Sequence, residues 1–121
     1  MEKYHALIIL NSFGEASAIK QFHVLDTIKD GSWSIAKIEI DKDELDETID
    51  LIQSNLVSDK PWYAHIYNEL GSKLIVIFKN KVFTTDSNKN NWNHIIEYGL
   101  SLDIPEEQLD FKPSTFKNET F

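Results

Sequence analysis

The 121-residue chain is long enough for one domain that buries roughly two-thirds of its unfolded surface around a single core. It contains no cysteine, which excludes disulfides, thiolate metal sites and cysteine nucleophiles and points to a reducing, cytoplasmic setting. Its net charge of −8 arises from 20 acidic residues against 12 basic ones, all lysine, so it lacks the guanidinium fork that reads phosphate or guanine, and its field opposes anionic membranes; neither nucleic acid nor membrane is an expected partner.

Tyr4 to Leu10 is an apolar run with β-branched content, which suits a strand covered on both faces. It is too short for a signal-peptide core or a membrane span. After the break Asn11-Ser12-Phe13-Gly14, the spacing of Ala18, Ile19, Phe22 and Leu25 predicts a short helix within Glu15 to Ile28, with an extended His23 to Ile28 as the other reading. Lys29 to Ser32 is a turn in which Gly31 supplies positive φ. Trp33 to Ile40 then alternates as a strand, with Ser34, Ala36, Ile38 and Ile40 on the core face and Trp33, Ile35, Lys37 and Glu39 on a partly wet one.

Leu45, Ile49, Ile52 and Leu56 form a helical stripe, and Asp41 with Glu44 resembles a capping box. The acids from Asp43 to Asp50 favour the positive end of the helix dipole, and they lack the Gly-bent loop of a calcium site. Beyond Pro61, Trp62, Ala64 and Ile66 alternate with Tyr63, His65 and Tyr67 along a strand. Leu74 to Phe78 reads as a buried central strand joined to Val82–Thr85 by a hairpin, with Asn80 as its left-handed residue. Trp92, Ile95, Ile96 and Leu100 mark a second helix, on which Gly99 permits close approach to the sheet. Ile104 to Phe111 is a further helical turn opened by Pro105.

These elements predict an α+β fold, a two-layer sandwich with a mostly antiparallel sheet of about five strands and helices mainly on one face, ferredoxin-like or related. The predicted core includes Leu7, Ile9, Ile38, Ile49, Ile52, Ile75, Ile77, Trp92 and Ile96. Residues 1–111 form the expected domain. Residues 112–121 form a polar tail, whose Phe116 and Phe121 can anchor it on a neighbour.

Lys60-Pro61-Trp62-Tyr63-Ala64-His65-Ile66-Tyr67-Asn68, the hairpin from Leu74 to Phe83, and Ile104-Pro105-Glu106-Glu107-Gln108-Leu109-Asp110-Phe111 together resemble a family of small uncharacterised prokaryotic proteins of about this length. The resemblance covers roughly the second half of the chain. It implies a compact cytosolic domain and carries over no functional residue.

Chemistry has few footholds. Gly-x-Ser-x-Gly, HExxH and a phosphate-binding loop are absent, and His5, His23, His65 and His94 have no metal spacing, so no catalytic residue, metal or cofactor is expected. The best candidate is the Tyr63, His65 and Tyr67 face, where alternate residues about 7 Å apart place an imidazole between two phenols. That face is either packing or a surface for a ligand or partner. The leading expectation is a non-catalytic module that binds a protein partner or itself, as a homodimer. The alternative is a small-ligand-binding protein or enzyme using a Tyr63/His65/Tyr67 pocket.

Overall fold

The computed structural model describes residues 2–121. In chain order its elements are β1 (Lys3–Ile9), β2 (His23–Asp30), β3 (Trp33–Asp41), α1 (Leu45–Asn55), β4 (Tyr63–Asn68), β5 (Leu74–Phe78), β6 (Val82–Thr85) and α2 (Asn93–Ser101), with short 3-10 turns between them. The strands form one sheet in the order β2-β3-β1-β4-β5-β6, and every pairing is antiparallel. The class is α+β, as the alternation of short strands and helices predicts. The element order β-β-β-α-β-β-β-α is not the β-α-β-β-α-β of the ferredoxin-like arrangement, so the related alternative is the one realised.

β1 occupies the middle of the sheet, with β3 on one side and β4 on the other. Because both run antiparallel to β1, they run parallel to each other, and α1 makes the crossover between them. Alternation along the strands divides the core in two. Tyr4, Ala6 and Ile8 of β1 join Ile38, Ile66 and Ile77 on the face covered by Leu45, Ile52 and Leu56. The opposite face of β4 and β5 packs Tyr67, Val76 and Phe78 against Trp92, Ile95 and Phe111. Each face thus carries one helix, where the sequence placed the helices mainly together.

The segment expected to be helical between Glu15 and Ile28 is instead a 3-10 turn over Ala16–Gln21 followed by β2, the sixth strand. Ala18, Ile19 and Phe22 still reach the α1-side core, which explains their helix-like spacing. The β-branched Val24, Thr27 and Ile28 pair with β3 through the Gly31 turn, at φ 61°. A register shift between Val24 and Asp26 leaves Leu25 exposed.

The expected capping box does not form. Asp41 makes no side-chain bond to the helix end; its Oδ1 accepts from Lys3 Nζ at 2.5 Å across the β1–β3 pair. Asn80 has no positive φ; among the described residues Asp103, at φ 68° after α2, is the non-glycine residue that takes that conformation. Gly99 permits close approach to Leu109 rather than to the sheet, since an added Cβ would lie 2.5 Å from Leu109 Cδ2. Of the predicted core, Ile38, Ile52, Ile75, Ile77 and Trp92 are buried, while Leu7, Ile9, Ile49 and Ile96 are half-buried. Among the described residues no helix is long and apolar enough to cross a membrane.

Residues 112–121 lie across the sheet face opposite α1. Ser114 is buried, Phe116 N–H donates to Glu69 C=O at 3.1 Å, and the Phe116 ring stacks on His5 at 3.8 Å. Gly71 holds this docking in place: it sits at φ 75°, and a Cβ there would meet Ser114 O at 2.8 Å and Ser87 Cβ at 2.7 Å. Gly31 has a similar φ but open space around it. Gly31→Ala should therefore cost about 1–2 kcal/mol through backbone strain alone, and Gly71→Ala measurably more, because a backbone carbonyl must also yield. Urea denaturation of both variants checks this, and equal losses would refute the close approach at Gly71.

Candidate functional site

β4 projects Tyr63, His65 and Tyr67 from the same face, as its period dictates. They do not share one environment. Tyr67 is fully buried, and its hydroxyl donates to Glu119 Oε2 at 2.6 Å. The same oxygen accepts from His5 Nδ1 at 2.5 Å, and Lys37 Nζ lies 3.4 Å from Glu119 Oε1. Lys37 also donates to the Phe121 carbonyl and sits 5.0 Å from the centre of that ring. Burial opposes ionisation of Glu119, but hydrogen bonds from Tyr67 and His5 and the charges of His5 and Lys37 hold its carboxyl below the usual range. Burial and the bond to Glu119 push the Tyr67 phenol up. This cluster locks residues 112–121 to β1, β3 and β4, and its polar atoms satisfy one another.

Tyr63 and His65 line a separate cavity of about 270 Å³. Leu7, Ile9 and Ile35 supply its floor, which accounts for the half-burial of two residues expected in the core. Trp33, at the start of β3, and Trp62, just before β4, form its aromatic corner, their rings 5.8 Å apart at 68°. The segment from Ile104 to Lys112 forms the opposing wall. Tyr63 is braced there by a hydroxyl bond to Gln108 C=O and an edge contact to Phe111 at 5.4 Å. Burial, with Asp110 nearby, raises the Tyr63 phenol.

His65 is the polar centre of the cavity. Its Nε2 lies 2.9 Å from Pro113 C=O, and a carbonyl can only accept, so Nε2 carries the proton and Nδ1 presents a lone pair. Burial drives the imidazole pKa down to about 4, with the Pro113 bond and Asp110 opposing. The ring is therefore neutral at pH 7. Nδ1 has no protein partner among the described residues, and no buried side-chain nitrogen or oxygen is left unpaired, so Nδ1 borders accessible space. The space that His65 lines is this cavity.

Glu119, Lys37, Trp33 and Trp62 escaped the sequence-based site. Phe116 and Phe121 in an otherwise polar tail were the available signal that the tail docks. The acid-rich start of α1 gathers Asp41, Asp43 and Glu44 within 4.8 Å, but the latter two are exposed and Asp41 is paired with Lys3, which fits a solvated face. Compared with known proteins, the chain matches no family model, no curated protein and no solved structure.

Proposed function

We propose that this is a cytoplasmic, non-catalytic protein that binds a small molecule in the Trp33/Trp62/Tyr63/His65 cavity. The observation that carries the reading is the unpaired Nδ1 of a buried, tautomer-fixed imidazole, beside two indoles and an apolar floor. The depressed His65 basicity weighs against general-base catalysis at neutral pH, for which a pKa near 7 serves best. A protein partner has less to hold, because Tyr67 is buried and Tyr63 is braced within the fold. The large exposed apolar residues Leu25, Leu70, Val82 and Leu100 lie on separate elements.

A fragment screen by two-dimensional NMR tests the reading. Ligands should shift the indole signals of Trp33 and Trp62 and the His65 ring, and leave buried Trp92, whose Nε1 is bonded to Asp86 C=O, unmoved. Trp62→Ala should abolish the response in a folded chain. A diverse library that leaves all three cavity signals in place would overturn the proposal.

A further inference from the structure

Resting on that reading of the cavity, we infer the class of its occupant: a small organic cation bearing N–H donors, a primary ammonium or guanidinium on a short apolar body. Three observations converge on it. Trp33 and Trp62 both line the cavity as an edge-type pair at 68°, and indole faces attract a cation through the ring quadrupole. The carboxylates lining the cavity are Asp30, Glu107 and Asp110, against one lysine, Lys112, and the whole chain carries a net charge of −8. His65 Nδ1 can accept a hydrogen bond but not donate one, because Nε2 already carries the proton to Pro113 C=O. That acceptor selects an N–H donor over a quaternary ammonium.

The apolar floor sets the rest of the ligand. Leu7, Ile9 and Ile35 offer no polar group, so a short alkyl or aryl chain covers them while the charged end meets the indoles and the rim. A cavity of about 270 Å³ admits a molecule of few heavy atoms. An anion meets three carboxylates and an unpaired acceptor. A neutral alcohol satisfies Nδ1 but gains nothing from the rings or the rim.

Matched probes separate charge from shape: n-butylammonium, n-butanol and butyrate, titrated into the intact protein with the Trp33 and Trp62 indole signals as readout. Butylammonium should bind at least tenfold more tightly than butanol, tetramethylammonium more weakly than butylammonium, and butyrate not detectably. Asp110→Asn with Glu107→Gln, both at exposed positions, should weaken butylammonium about fivefold or more and leave butanol unchanged. Butanol or butyrate binding as tightly as butylammonium, or a double variant without effect, overturns the cation assignment while leaving the cavity a binding site. If no probe of any charge moves these signals and the fragment screen is also silent, both proposals fall.

Discussion

Phe111→Ala is expected to destabilise the protein by about 3–5 kcal/mol, the range for removing a fully buried aromatic ring. The ring is not exposed at all, and it packs against Trp92 at 5.2 Å and Tyr63 at 5.4 Å. It joins three parts of the chain: the N-terminal end of α2, the start of β4, and the 3-10 turn over Glu106–Gln108. Its loss leaves a cavity that Trp92 cannot fill, since the indole is tied to Asp86 C=O at 2.7 Å. A domain of ordinary stability has 5–15 kcal/mol in total, so the variant should be marginal at 37 °C. Equilibrium urea unfolding gives the number. A loss under 1 kcal/mol would show that the segment around Phe111 is not part of the cooperative unit. Phe116→Ala, which removes a half-buried ring from His5, should cost clearly less.

Acid should weaken the fold from the neutral side, well above the carboxylate range. An unfolded histidine binds its proton near pH 6.5, whereas His65 is held to about 4 in the folded chain. Between those values the unfolded chain binds a proton that the folded one refuses, so stability is full above pH 6.5, falls as pH drops toward 4, and changes no further below. The 2.5-unit difference corresponds to about 3 kcal/mol. Glu119 contributes in a lower window: its folded pKa is depressed, so its contribution is complete above the ordinary carboxylate value of 4.5 and is lost as pH falls through the folded value. His65→Gln isolates the first window, because its amide can still donate to Pro113 C=O but does not titrate. Stability measured from pH 7 to 4 should fall less in the variant, by about one proton's worth of slope. Superimposable profiles would show that His65 is not desolvated.

Much of this architecture is legible in the residues because local pattern and tertiary demand agree. The run through β5 is buried on both sides, as an unbroken Leu-Ile-Val-Ile-Phe requires, and the period-2 pattern of β4 assigns each side chain to its face. β2 was ambiguous because Ala18, Ile19, Phe22 and Leu25 mimic helical spacing while only half of them sit in a helical turn. Asp41 had two possible partners, the helix end and Lys3, and only strand register reveals that Lys3 is opposite.

The candidate site was half legible. Alternation alone grouped Tyr63 and His65, but it extended the group to Tyr67, which an acid 52 positions away claims for the Glu119 cluster. Trp33 opens β3 and Trp62 precedes β4, and no spacing rule brings them together. Lys37 looked like part of a wet face because its covering comes from Glu119 and Phe121, at the far end of the sequence.

The central position of β1 has a kinetic consequence. β1 is made well before either of its neighbours: Tyr4 pairs with Ile40 and with Asn68, the latter contact spanning more than half the chain. Neither flank of β1 can be satisfied by a local hairpin, so loop-closure entropy must be overcome before its contacts repay it. Refolding should accordingly fall in the millisecond-to-second range of non-local β topologies. During that interval the Ala-Leu-Ile-Ile run of β1 has two unpaired edges, which makes it the segment most exposed to intermolecular strand pairing while the chain is still assembling.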